Sequence, residues 1–155
     1  MTHIAVFSDT HGDLSRLSAA VSRSGPVDAF LHLGDLCSDA QRIASRLKCP
    51  FHVVRGNNDF SGHYPNELIV HYEKTSLLMT HGHLQPDVQQ LAYMAEEQHC
   101  DAVLFGHSHA PLLQSMGCIL IINPGSLSRP RFGAKASFSL LHIEEREIRV
   151  QMITL

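Results

Sequence analysis

The sequence predicts an α/β protein in which two β-sheets stack face to face with helices on the outside. Three observations lead there. The first half of the 155-residue chain alternates strand and helix, the second half runs mostly from strand to strand, and about nine strands share only three helices. So many strands cannot occupy one open parallel sheet with both faces covered. Two stacked sheets can.

Residues 3–8 form a short apolar strand. From 13 to about 23, Leu14, Leu17 and Val21 recur at helical spacing, and Gly25-Pro26 stops that helix. A second strand covers 28–33. Ser38 and Asp39 are N-cap candidates for a helix with Ala40, Ile43, Ala44 and Leu47 on one face, ended by Cys49-Pro50. Residues 51–54 make a third strand, and this βαβαβ start implies parallel pairing with right-handed crossovers. Strands over 67–72 and 76–80 flank a Glu73-Lys74-Thr75 turn as a hairpin. Pro86 opens a third helix that runs to about His99, with Val88, Leu91, Ala92 and Ala95 facing inward. Residues 102–105 and 118–123 read as buried strands, and 124–135, with Pro, Gly and two arginines, as a long loop. Strands over 136–143 and 147–154 form a second hairpin through Glu144-Glu145-Arg146. Nothing marks a boundary, so residues 1–155 are expected to form a single domain.

Composition narrows the function. A hydrophobic fraction of 44% and a charged fraction of 17% describe a folded globular chain, not a disordered one. The net charge of −3 and the absence of any basic run longer than two residues argue against a stable nucleic-acid partner. No apolar run approaches the roughly 18–20 residues that cross a bilayer, and a cleaved leader would have to include Asp9. The expectation is a cytoplasmic protein without a membrane partner. Cys37, Cys49, Cys100 and Cys118 form no Cys-x-x-Cys pair and read as small buried apolar residues. Of 12 histidines, His3, His52, His63, His71, His99 and His142 sit in no motif and read as surface or satisfied strand residues.

The chemistry lies in five short motifs, each just after a predicted strand: Asp9-Thr10-His11-Gly12, Gly34-Asp35, Gly56-Asn57-Asn58-Asp59, His81-Gly82-His83 and Gly106-His107-Ser108-His109. Strand C-terminal ends are where open α/β sheets place their sites. The spacings Asp9-x-His11 and His107-x-His109 are read as side-chain pairs on one side of an extended segment. Neighbouring glycines allow tight turns and close backbone approach. Two carboxylates, one amide and four imidazoles are too many ligands for one ion and right for two. A two-metal site is the usual means of hydrolysing phosphate esters without a covalent intermediate. Oxygen and imidazole ligands without thiolate favour Mn, Fe, Ni or Zn over Mg or Ca. Neither Ser8 nor Cys37 has a triad-like partner, and both read as structural.

With Asn123-Pro124-Gly125-Ser126 following the last His-x-His, these motifs make the chain resemble the calcineurin-like metallophosphoesterases. It is most similar to their short, cap-less bacterial and archaeal phosphodiesterase branch, from Ile4 to about Arg131. The resemblance implies a four-layer αββα sandwich of two mixed sheets. It also implies that Asp9, His11 and His109 hold one metal, that Asn57, His81 and His107 hold the other, and that Asp35 bridges them. The implied activity is a metal-dependent phosphodiesterase in which a hydroxide shared by two ions, manganese on the resemblance, attacks phosphorus in line. Two divalent cations, two carboxylates and one hydroxide leave about one positive charge for an anionic substrate.

One departure stands out. Many larger relatives carry a His after the metal-binding Asn, where this chain has Asn58, a carboxamide that cannot deliver a proton at pH 7. Asn58 and His83 are the candidate catalytic extras, Asn58 as a donor to a phosphate oxygen and His83 as a substrate contact or proton donor. His32 and Asp59 read as orienting neighbours, and Arg55, Arg129 and Arg131 as either phosphate clamps or loop tethers. The substrate is expected to be a small phosphoester. Alternatives are a phosphomonoesterase or nucleotide pyrophosphatase using the same site, or an interaction scaffold of this fold. Exposed hairpin edges in the second half suit a homo-oligomer.

Overall fold

A computed structural model describes residues 1–60, 63–85 and 87–155; Pro86, expected to open the third helix, lies outside them. The described elements run β1 (Thr2–Phe7), α1 (Leu14–Ser24), β2 (Ala29–His32), α2 (Cys37–Ala44), β3 (Phe51–Val53), β4 (Glu67–Tyr72), β5 (Thr75–Thr80), α3 (Val88–Glu97), β6 (Ala102–Leu104), β7 (Leu112–Met116), β8 (Ile119–Asn123), β9 (Ser137–Glu144) and β10 (Glu147–Thr154). The strands form two five-stranded sheets, ordered β10-β9-β1-β2-β3 and β4-β5-β6-β8-β7. Each is mixed. The parallel trios β1-β2-β3 and β5-β6-β8 carry antiparallel neighbours at their flanks.

Alternation along the strands builds the layers. Ile4, Val6, Leu31 and Leu33 meet Leu77, Met79, Leu104 and Ile122 between the sheets. The intervening residues Ala5, Phe7 and Phe30 pack outward against Leu17 and Ala20 of α1 and Ile43 of α2. On the other sheet, Leu78, Val103 and Ile121 pack outward against Leu91, Ala92 and Ala95 of α3. Each fully buried Leu or Ile contributes about 2 kcal/mol over an exposed one, so both strand faces stabilise the sandwich. The result is the four-layer αββα arrangement. No helix of the described residues is long and apolar enough to cross a membrane.

Four local expectations are corrected. β7 has no counterpart in the sequence reading. It is an edge strand whose middle residues are exposed, so its Leu-Leu-Gln-Ser-Met run shows no alternation, and backbone pairing to β8 holds it instead. A two-residue turn, Gly117-Cys118, joins those strands with Gly117 at φ 58°, which exposes Cys118 rather than burying it. Both hairpin turns are also shorter than expected, with Thr75 and Glu144 paired inside strands and Glu73 and Glu145 in the left-handed region. Finally, neither Ser38 nor Asp39 caps α2; the N-cap is Leu36, and the buried Asp39 carboxylate is committed elsewhere.

Candidate metal centre

The five motifs lie together at one edge of the sandwich, where the C-terminal ends of β1, β2, β3, β5 and β6 converge. They are not extended. Asp9, His11, Asp35, His107 and His109 have φ between 44° and 64°, a left-handed conformation that costs a non-glycine residue about 1–2 kcal/mol. The reading of Asp9-x-His11 and His107-x-His109 as extended pairs is therefore wrong, because each strand ends before its motif. The side chains are aimed instead by tight, crossing loops. Asp9 N–H donates to Gly34 C=O at 3.0 Å and His11 N–H to Asp35 C=O at 3.2 Å. Two glycines are required by that crowding. A Cβ on Gly56 would sit 2.1 Å from Asp35 Oδ1, and one on Gly106 would sit 1.9 Å from Ser8 Oγ.

Carboxylates and the amide come from the first sheet, imidazoles mainly from the second. Asp9 Oδ2 is fully engaged, accepting from Ser8 Oγ at 2.6 Å and from the His107 N–H at 3.0 Å. Asp9 Oδ1 is buried and accepts no hydrogen bond among the described residues, yet Nε2 atoms of His109, His11 and His81 surround it at 3.1, 3.8 and 3.8 Å. Asp35 Oδ2 lies between His81 Nε2 at 3.5 Å and His11 Nε2 at 3.8 Å. The Asn57 amide is 3.1 Å from both His81 Nε2 and His107 Nδ1. Asp9, His11 and His109 thus make one group, and Asp9, Asp35 and His81 an overlapping one.

Tautomers make the case sharper. His109 Nδ1 donates to the Arg129 carbonyl at 2.7 Å, and His81 Nδ1 donates to the Leu33 carbonyl at 2.7 Å. With Nδ1 protonated, each neutral ring points its Nε2 lone pair at a carboxylate oxygen. Lone pairs facing one another need a cation between them. The pKa directions report the same deficit. The Asp9 carboxylate raises His109, and Asp35 and Asp9 raise His81 against the burial that would lower it. Burial would raise Asp35, but His81 and the Asn58 backbone N–H outweigh it and hold that carboxyl well below its ordinary range. His11 and His107 are lowered, chiefly by burial. Among the described residues no Lys or Arg pairs with Asp9 or Asp35. The donor set fits divalent cations of the nitrogen- and oxygen-binding kind.

A hydrogen-bonded frame holds the motifs, and most of it escaped the sequence reading. Gly34 N–H donates to His32 Nδ1 at 3.2 Å, so His32 Nε2–H donates to Thr10 Oγ1 at 3.2 Å, and Thr10 donates on to Asp39 Oδ2 at 2.7 Å. Asp39 also accepts the Gly12 N–H at 2.7 Å. His32 is fully buried, and burial pushes it down to about 4, so it is neutral. The orienting roles expected of His32 and Asp59 match this geometry. Asp59 accepts backbone N–H groups from Asp35, Gly56 and Cys37 at 2.7–2.9 Å. Asn123 donates to the Gly106 carbonyl, and Ser126 to the Asp9 carbonyl, which gives the Asn-Pro-Gly-Ser run a physical role. The missed signal was Asp39: an acid four residues beyond a Gly-Asp motif reads as a cap in sequence and anchors the neighbouring loop in space.

Beside the carboxylates lies a cavity of about 300 Å³ lined by His11, Asn57, Asn58, His107, Arg129 and Arg131, among others. Asn58 Nδ2 donates to Asp35 Oδ2 at 2.7 Å, so its amide lies against the carboxylate between His11 and His81. His83 is set back, its ring tilted 52° against that of His81 with centroids 5.4 Å apart, and its buried Nδ1 has no partner among the described residues. Arg55 is a tether, bonded to Asn66. Arg129 and Arg131 face the cavity.

The calcineurin-like phosphoesterase superfamily domain matches residues 2–146 of this chain. The probable metallophosphoesterase YsnB of Bacillus subtilis is 36% identical over 146 residues, covering 92% of this chain and 85% of that protein. The phosphodiesterase YfcE of Escherichia coli is 29% identical over 169 aligned positions, covering 91% and 88%. A solved structure from Streptococcus pneumoniae, described as a conserved uncharacterized protein and predicted phosphoesterase, superposes with a TM-score of 0.84 at 34% identity, covering 99% of this chain and 89% of that one.

Proposed function

The chain belongs to the calcineurin-like phosphoesterase superfamily, and from that premise we propose that it is a metal-dependent phosphodiesterase with two divalent ions, manganese among the candidates. The observation that carries the metal centre is Asp9 Oδ1, buried without a hydrogen bond among the described residues and ringed by three imidazole nitrogens. In this reading Asp9, His11 and His109 hold one ion, Asn57, His81 and His107 hold the other, and Asp35, placed between His11 and His81, is shared. Bound there, the ions supply an activated water and Lewis acidity at the phosphoryl oxygens.

The chain's own groups do the rest. The Nδ1–H bonds of His81 and His109 fix the rings, and Ser8 and the His107 N–H fix Asp9. Arg129 and Arg131 bring positive charge to the cavity an anionic substrate would enter. Asn58 steadies Asp35 and offers an amide N–H to a phosphoryl oxygen, while His83 orients His81 and His107 from behind. Asn58, a carboxamide, cannot protonate a leaving group, which favours esters of acidic alcohols.

The choice of diester rests on the similarity to YfcE, described as a phosphodiesterase. A diester and a monoester with the same 4-nitrophenyl leaving group test it on metal-loaded protein. A higher kcat/KM on the diester is expected. Preference for the monoester would replace the reading with a phosphomonoesterase. No hydrolysis, with well under one equivalent of bound metal, would favour an interaction scaffold.

A further inference from the structure

A second cavity of about 300 Å³ adjoins the first, and His107 is a wall of both. Its character is opposite. Val88, Leu91, Phe105 and Leu112 give it mainly apolar walls, with Gln85, Asp87, His107 and Ser108 as its polar members. The N-terminus of α3 opens there, yet it is not an anion site, because Asp87 already caps it, accepting from Gln90 N–H at 2.9 Å. A phosphate in this cavity would meet mostly hydrocarbon and the Asp87 carboxylate, with no Lys or Arg among the described lining residues. The arginines stand in the other cavity.

We propose, resting on the phosphoesterase reading above, that the apolar cavity seats an uncharged ester group of the substrate while the phosphoryl group lies across His107 in the polar one. The substrate class is then a phosphodiester with at least one neutral aryl or branched apolar ester group. Pyrophosphate-linked substrates are disfavoured, since their second phosphate would have to enter beside Asp87. A volume near 300 Å³ is at the small end of ligand pockets and suits one ring better than an extended chain.

Diphenyl phosphate and dimethyl phosphate carry the same single charge and differ only in their ester groups. On the metal-loaded full chain, diphenyl phosphate should bind at least roughly tenfold more tightly, the scale of small apolar differences in a hydrophobic pocket. It should also shift the methyl resonances of Val88, Leu91 and Leu112, whereas dimethyl phosphate should not. In Leu112→Ser, and in the isosteric Val88→Thr should the first variant fold poorly, the ratio between the two affinities should collapse several-fold. Equal affinities for the two diesters, or methyl shifts confined to residues outside the cavity, would overturn the inference. Because the methyl shifts need no turnover, they decide it even where the chain hydrolyses no diester, an outcome that would defeat the phosphodiesterase reading alone.

Discussion

Carboxylates tie one sheet to the other at both ends of the sandwich, but the two ends find their counter-charges differently. At the end away from the motifs, the β4–β5 turn meets the β9–β10 turn. Lys74 pairs with Glu145 there, both about two-thirds exposed, and Glu73 accepts from Thr2 and from the Glu145 N–H. Water screens these charges, and the chain supplies a cation. At the motif end Asp9 and Asp35 are 0% and 1% exposed, surrounded by neutral donors and imidazoles with no Lys or Arg paired to them among the described residues. Burying charge without a partner is costly, and the strained loops add to that cost. The far end closes its own charge balance; the site end calls for ions from outside.

The largest effect should come from Asp35→Asn. Removing one of two buried carboxylates while keeping its shape leaves two cations less shielded from each other. Turnover should fall by roughly a thousandfold, with metal content below two per chain. Near-normal turnover with two tightly held ions would break the comparison at its core.

A second test concerns the frame that lets the site end fold at all. Neutral, buried His32 has its pKa down near 4 against an ordinary 6.5. Between those values the unfolded chain binds a proton that the folded chain refuses, so stability rises with pH across the window. Its contribution is complete above pH 6.5 and is lost as pH falls toward 4, about 3 kcal/mol in all. Denaturant unfolding of metal-free protein at pH 7 and pH 4.5 should show this loss, and His32→Asn should show a flatter dependence. Identical slopes for both proteins would remove His32 from the account.

Smaller effects sharpen the contrast. Asn58→Ala should leave metal content intact and lower activity by only several-fold, because the amide steadies Asp35 without serving as a ligand. Loss of metal in that variant would make Asn58 part of the coordination. At the far end Lys74→Ala should move the melting midpoint by no more than about 2 °C, as expected of an exposed ion pair. A shift several times larger would mean that this end, too, depends on its charges.

Much of this was legible in sequence because period and punctuation are local properties. The two βα units, both hairpins and the strand-end position of every motif follow from residues a few positions apart. Edge strand β7 was not legible, since backbone pairing rather than burial holds it. Nor was the left-handed backbone at Asp9, His11, Asp35, His107 and His109, which depends on loops from different strands crowding one another. The seven proposed ligands stood out by residue type, but Asp39, Thr10 and Ser126 did not, because their partners are 22 or more residues away in the chain or are backbone groups.

The central claim is that the buried end of the sandwich is completed by two cations. Equilibrium dialysis of the wild-type chain against manganese, followed by elemental analysis, tests it most directly. Two ions per chain should be bound, with protons released on uptake at a pH where His81 and His109 still carry them. Saturation at one ion or fewer, with the chain folded, would contradict it.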